Sequence, residues 1–290
     1  MKSGKGELVK KITVIYSNLC EANGAFLGQL REWLDGYDIE ISAAAYHEAS
    51  TALKSMQGSG NCFIDVYYDG KHIDTVPLHK SKLYAALGIE KAEPASSDDG
   101  VLIPEAPMGE LVFRHAVLRG EVEFIPITQE NYLEEMTMCL CNYPFGNPPE
   151  RYHAECVRIK STVFAEVWEH ESIAGVYAKY AGKVVGLLEV FPREIIRKHG
   201  YMTGTAGEDG DYLTVGCFEV GYGIPRVEMI DELMVQLGLL LKRFSRRYIE
   251  AIGVYEWNDG FQPYWVYDKY SFKRTDYINE NTVVMEKMIE

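Results

Sequence analysis

The sequence predicts a two-domain protein of mixed α/β (α+β) class, on three observations. Strand-like runs alternate with amphipathic helical runs in both halves of the chain. Between the halves lies KAEPASSDDGVLIPEAPM, at 91–108, whose proline, serine and aspartate are linker chemistry. At 290 residues the chain exceeds the usual span of one core and can bury two. The expected division is 1–90 for the first domain, 91–110 for the linker and 111–290 for the second domain. The second is expected to fold without residues 1–100.

In the first half, KITVIYS reads as a strand and NGAFLGQLREWLDGY as a helix, with Phe26, Leu30 and Leu34 at helical spacing. DIEISAAAY alternates as a second strand, and EASTALKSMQ follows as a helix. CFIDVYYDGKHIDTVPL is a hairpin turning at Asp69-Gly70, a pair suited to tight turns, and SKLYAALG is a helix that Gly88 can end. The order β-α-β-α-β-β-α over residues 10–90 resembles a thioredoxin-like domain. Redox members carry Cys-x-x-Cys at the first helix and a cis-proline before the third strand. Here Ser17-Asn18-Leu19-Cys20 supplies one cysteine and Gly60-Asn61-Cys62 stands at the proline's place, so a binding or docking module is expected. Cys20 is either a thiol made more acidic by a helix start or an ordinary half-buried residue.

The second half opens with LVFRHAVLRGEVEFIPIT, read as two extended stretches around Arg119-Gly120, and continues with the helical runs QENYLEEMTMCLC and ERYHAECVRIKSTVFAEVWEH. IAGVYAKYAGKVVGLLEVF is a hairpin at Ala181-Gly182, and DYLTVGCFEV extends the sheet. VEMIDELMVQLGLLLKRFSRRY is a long amphipathic helix with Met229, Leu233, Leu237 and Leu240 on one face. A strand (YIEAIGVYEW), a short helix (PYWVYDKY) and two strands (FKRTDYI, TVVMEKMI) complete it. Tyr267-Asp268-Lys269-Tyr270-Ser271-Phe272 is similar to the Tyr-x-Lys-x-Gly-Phe signature of the GNAT acyltransferase superfamily, with serine in the glycine position. Val254-Tyr255-Glu256-Trp257-Asn258 resembles the end of that family's fifth strand and its following asparagine. The order of elements over residues 121–290 resembles the same fold, a mixed sheet flanked by helices.

That resemblance implies transfer of an acyl group from acetyl-CoA, or another acyl-CoA, to a primary amine on a small molecule or peptide. It implies strands four and five splaying apart, with free backbone at Phe218 and Val220 to pair with the pantetheine arm. It places Tyr267 as the acid for the leaving thiolate and Glu219 as the base for the ammonium, with Glu189 in reserve. Asn258 is a further cofactor contact. Family members bind the pyrophosphate on a loop of Arg or Gln, two residues, Gly, one residue, then Gly or Ala. Aligning Arg226 there puts Met229 and Asp231 where the small residues belong, and a carboxylate would repel the anion. Alternatively Gly221-Tyr222-Gly223-Ile224-Pro225 makes the turn, with Pro225 first in the helix and the anion site moved upstream.

A net charge of −14, with acidic residues in excess on both sides of Gly100, argues against nucleic acid as the main partner. No run approaches the eighteen or so apolar residues of a membrane helix, and the early KITVIY is too short for a signal segment. The six cysteines are scattered, as in a reduced, cytoplasmic protein. Two rival readings remain. One is zinc held by Cys139, Cys141, His153 and Cys156, a spacing that fits no common pattern, so no metal is expected. The other is a non-catalytic binding protein with a degenerate GNAT-shaped domain.

Overall fold

Two sheets organise the chain in the computed structural model, which describes residues 10–54, 64–75, 78–89, 108–139, 150–256 and 261–290. The first sheet has the order β2-β1-β3-β4, from β1 (Lys10–Tyr16), β2 (Ile39–Ala45), β3 (Ile64–Tyr68) and β4 (Lys71–Thr75). β1 runs parallel to β2 and antiparallel to β3, and β3 turns back on β4 through Asp69 and Gly70, both at positive φ. The helix α1 (Ala22–Leu34) makes the β1–β2 crossover, and α2 (Thr51–Lys54) and α3 (Lys80–Leu87) follow in the expected order. Gly88 ends α3 at φ 64, a left-handed cap that costs glycine nothing.

The second sheet has seven strands in the order β10-β11-β9-β8-β7-β6-β5. They are β5 (Val122–Pro126), β6 (Gly175–Tyr180), β7 (Lys183–Pro192), β8 (Tyr212–Val220), β9 (Tyr248–Val254), β10 (Lys273–Tyr277) and β11 (Thr282–Met288). Every pairing is antiparallel except β8 with β9. That parallel neighbour requires a crossover, which α8 (Arg226–Leu240) provides. The sheet is covered on both faces. α8 and α4 (Glu110–Leu118) pack on one, with Met229, Leu233, Leu237, Phe113 and Ala116 buried. The other carries α5 (Met136–Cys139), α6 (His153–Val167) and α7 (Arg193–Lys198), with Met138, Val163, Phe164 and Ile196 buried.

Two parts of the sequence reading change. Residues 110–118 are helical, because Phe113 and Ala116, three apart, are the pair that this segment buries. Only the stretch after Gly120 is a strand. The helix expected over 129–141 is limited, among the described residues, to α5. None of the described helices is long and apolar enough to cross a membrane.

The two sheets are joined by shared packing. α1 lies so close on α6 that a Cβ on Gly24 would sit 2.5 Å from the Cys156 backbone nitrogen, and one on Gly28 would meet the Tyr152 ring at 2.4 Å. Leu19 belongs to the core formed by Ile127, Phe164 and Phe191, and Ile159 of α6 belongs to the core of the first sheet. Ser17 Oγ donates to the His199 carbonyl at 2.8 Å, and Arg151 pairs with Glu32. A fragment lacking residues 1–100 would lose the α1 contact of Cys156, the first-sheet core around Ile159 and the Glu21 partner of Lys160.

His47 and His199 meet across this boundary with ring centroids 4.6 Å apart. Burial holds His199 down to about 4, and it holds His47 below its ordinary value as well. The folded state therefore favours neutral rings, and their contribution is present above pH 6.5 and lost as pH falls toward 4. The thermal midpoint of the full chain should fall across that window. His199→Gln should flatten the fall, measured as the difference between variant and wild-type midpoints against pH.

Candidate functional site

β8 and β9 are paired only at Tyr212↔Tyr248, Leu213↔Ile249 and Thr214↔Glu250, after which they part. The closed end is locked by Glu250, whose carboxylate is fully buried. It accepts from Thr214 Oγ1 at 2.8 Å, from the Gly204 backbone N–H at 3.1 Å and from Arg193 Nη1 at 3.3 Å. Arg193, also fully buried, donates to Asp209 at 3.0 Å and to the Ala206 carbonyl at 2.7 Å, and its guanidinium lies 3.6 Å from the centre of the Tyr212 ring. Burial raises the Glu250 carboxyl above its ordinary range despite these donors.

Beyond the lock, Cys217, Phe218 and Glu219 are half-buried along the parted edge of β8. The gap is spanned by the segment after Phe261. The Gln262 carbonyl accepts from Val254 N–H of β9 at 3.1 Å, and its side-chain amide donates to the Phe218 carbonyl of β8 at 3.1 Å. α9 (Tyr264–Asp268) follows and brings Tyr267 into the core, 2% exposed, with its ring 5.7 Å from Phe272. Burial raises the Tyr267 hydroxyl well above its ordinary value, and the neighbouring Cys217 adds to the rise. Cys217 in turn lies in the fields of Glu189 and Glu219, and burial raises its thiol. Cys217 on the parted edge thus lies near Tyr267, and Glu219 follows it two residues along the same strand.

After β8 the chain turns at Gly221, whose N–H donates to the Val185 carbonyl at 2.9 Å, and at Gly223, whose φ is 77. Pro225 is the cap of α8 and Arg226 its first residue, a shift of one from the expected start. Met229 N–H bonds the Pro225 carbonyl, which closes the first turn of α8. Met229 is fully buried, and its sulfur would lie 2.8 Å from a Cβ on Gly186. Asp231 points at α9. Its two oxygens each lie 2.6 Å from Lys269 Nζ, and Oδ1 accepts from the Tyr270 hydroxyl at 2.8 Å. The expected repulsion by Asp231 is therefore cancelled by a cation. Glu228 in the first turn is matched by Arg114 at 3.3 Å. Asn258 and Cys141 lie outside the described residues.

Sequence reasoning missed the most heavily charged interior feature. Lys160 Nζ is buried 2.7 Å from Glu135 Oε1, 2.9 Å from Glu189 Oε2 and 3.7 Å from Glu21 Oε2, and it donates to the Leu19 carbonyl at 3.4 Å. Burial works against the Lys160 ammonium, but the carboxylates outweigh it and raise the group well above its ordinary value. Glu135 is raised by burial and by Glu189 beside it. One signal was available: Lys160 stands on the stripe Cys156, Lys160, Val163 and Val167, a lysine where helical spacing calls for an apolar residue. Among the described residues no group of three or more His, Cys, Asp or Glu is arranged to hold a metal ion. Cys139 packs in the core under the sheet, and Cys156 packs against α1.

No family model and no curated protein matches the chain. Among solved structures it is similar to an N-acetyltransferase from Staphylococcus aureus Mu50, with 11% identity, 58% of this chain and 99% of that chain covered, and a TM-score of 0.40. PH1933 from Pyrococcus horikoshii OT3 gives 16% identity, 58% and 99% coverage and a TM-score of 0.38. Arabidopsis thaliana Naa50, solved in complex with the bisubstrate analogue CoA-Ac-MVNAL, gives 15%, 58%, 98% and 0.35.

Arg193→Met should cost about 3–5 kcal/mol, the order expected when one partner of a buried pair is removed. Denaturant unfolding would measure it. Without the guanidinium, the buried Glu250 carboxyl is more stable protonated. The variant should therefore regain stability as pH falls, and Glu250→Gln in the same chain should remove that pH dependence.

Proposed function

We propose that residues 111–290 form a GNAT-type, acyl-CoA-dependent N-acyltransferase, probing a primary amine on a small molecule or peptide as acceptor. The observation that carries this reading is the parting of β8 from β9 beside Tyr267. Past Thr214 the edge of β8 is no longer laddered to β9, which is where an amide-bearing arm could add to it, and the Phe218 carbonyl already takes an amide N–H from Gln262. The pantetheine arm carries that same donor chemistry. Gly221, whose Cβ would sit 3.1 Å from the Val185 carbonyl, keeps the following turn tight. The turn with Gly223, the first N–H groups of α8 and Arg226 form the proposed pyrophosphate site. Phe218 and Val220 line the arm, and Asn258 remains a proposed contact.

Acyl-CoA supplies an activated thioester carbonyl. Around it, Glu219 takes a proton from the incoming ammonium, and the Tyr267 hydroxyl gives one to the departing sulfur. Burial keeps the Tyr267 hydroxyl neutral, so that it can donate a hydrogen bond to that sulfur, while making it a weaker acid than an exposed tyrosine. The first unit, residues 1–90, is proposed to be thioredoxin-like and to serve for docking. Ser17 and Asn18 at the β1–α1 junction are buried at the boundary with the second sheet, and Cys20 has no second cysteine at redox spacing. A cytoplasmic location is proposed with it.

A second reading, a ligand- or partner-binding protein without turnover, is favoured by one observation. Gln262, 5% exposed, closes with its own amide the edge that an acyl-CoA would use.

Calorimetry with acetyl-CoA and longer acyl-CoAs should register binding to the full chain, and no binding at millimolar ligand would favour the second reading. Tyr267→Phe should leave that binding intact and lower thiol release by about 10²- to 10⁴-fold. Loss of binding and release together would make Tyr267 structural. Gln262→Ala frees the Phe218 carbonyl, so acyl-CoA affinity should rise by about the worth of one hydrogen bond, roughly 0.5–1.5 kcal/mol. Weaker binding would mean that Gln262 is part of the site.

A further inference from the structure

α8 is apolar on two faces, and the sheet covers one of them. Met229, Ile230, Leu233, Met234 and Leu237 are buried, while Val227, Val235 and Leu239 are exposed, Val235 at 49% and Leu239 at 68%. A helix that is apolar all round is expected to be covered all round. The neighbouring α4, tied to the first turn of α8 by Arg114 and Glu228, repeats the pattern. Its Leu111 and Leu118, seven residues apart and opposite the buried Phe113 and Ala116, are 67% and 84% exposed. Aliphatic side chains thus stand out together on one side of the second sheet, where an ordinary surface scatters them singly.

Gly238 lies within the exposed face of α8, between Val235 and Leu239. A Cβ there would meet nothing within 4 Å, so no neighbour in the chain requires glycine at this point. Glycine weakens a helix interior relative to alanine. What it permits is close approach of another backbone from outside.

Charge decides which backbone. The first half of α8 carries Glu228, Asp231 and Glu232, and Lys242 and Arg243 stand exposed in the turn that continues its far end. An identical helix laid antiparallel, about a two-fold axis level with Leu237, sets Asp231 opposite Lys242, Glu232 opposite Arg243 and Val235 on Leu239. One axis serves all three pairings. Asp231 already holds Lys269 and the Tyr270 hydroxyl, and a carboxylate has acceptor sites left for a further cation. A parallel copy would set acid on acid and base on base. The face is therefore self-complementary in the antiparallel sense, as an isologous contact requires.

We propose that the protein is a homodimer built on this face of α8, with α4 at its margin. The contact uses no residue of the parted edge, so it stands whether or not the acyltransferase reading does.

Sedimentation velocity of the full chain across the micromolar range should give twice the chain mass, and a monomer at every concentration overturns the proposal. Val235→Glu puts a charge at the centre of the contact and should abolish the dimer. Gly238→Gln separates association from folding. In the single chain its side chain enters open space and improves the helix, so the variant should keep its circular dichroism spectrum yet sediment as a monomer. Either variant dimerising as wild type does places the contact elsewhere and overturns the proposal. Glu232→Arg and Arg243→Glu should each weaken association by about tenfold or more, and together restore it. Within one helix these positions are roughly 16 Å apart at 1.5 Å per residue, too far to pair, so restoration reports contact between copies. A double variant no tighter than either single one overturns the antiparallel register and the proposal with it.

Discussion

The hydrogen-bonding capacity of one buried carboxylate sets where the second sheet opens. Glu250 takes donors from β8, from the chain before it and from Arg193, and the three pairs up to Thr214↔Glu250 are the last that hold β8 to β9. A parallel pair with a helical crossover has no turn to keep its strands together at the far end. Whether they stay paired depends on what lies between them. Here Gln262 and then α9 fill the gap, reaching β9 with main chain and β8 with a side chain. The parted edge, the depth of Tyr267 and the half-burial of Cys217 to Glu219 all follow from that arrangement.

A second constraint acts on the other side of the same sheet. An ammonium removed from water costs several kcal/mol unless its partners are removed with it, and Lys160 recruits three carboxyl groups from separate stretches of chain. One of them, Glu21, belongs to the first sheet's helix. The domains therefore share an electrostatic interior as well as an apolar boundary. Gly24 and Gly28 make this possible, since any side chain there would hold α1 away from α6.

Much of the architecture was legible because it is written locally. The hairpins at Asp69-Gly70 and Ala181-Gly182, the stop at Gly88 and the stripe of α8 are all specified within a few residues. The segment LVFRHAVL misled because its β-branched and aromatic residues favour a strand, while the sheet has only the face of Phe113 and Ala116 to bury against. The Lys160 cluster was illegible for a different reason. Its members lie at 21, 135, 160 and 189, and no local pattern brings such positions together. The same holds for Asp231, whose charge looked adverse until Lys269 was placed opposite it.

The motif from Tyr267 to Phe272 shows how the backbone at the end of α9 dictates a short run of residue types. Tyr267 and Phe272 enter the core, while Lys269 and Tyr270 hold α8 through Asp231. Ser271 sits at φ 68, a left-handed conformation that glycine adopts freely and serine adopts at some cost. Glycine in the resembling signature answers the same backbone demand. Each of these residues is fixed by folding, because the turn that ends α9 must reverse into β10 and still seat two aromatic rings. The pattern therefore identifies the frame that presents Tyr267 to the parted edge. Whether that frame performs chemistry depends on a group the motif does not contain, Gln262 across the gap.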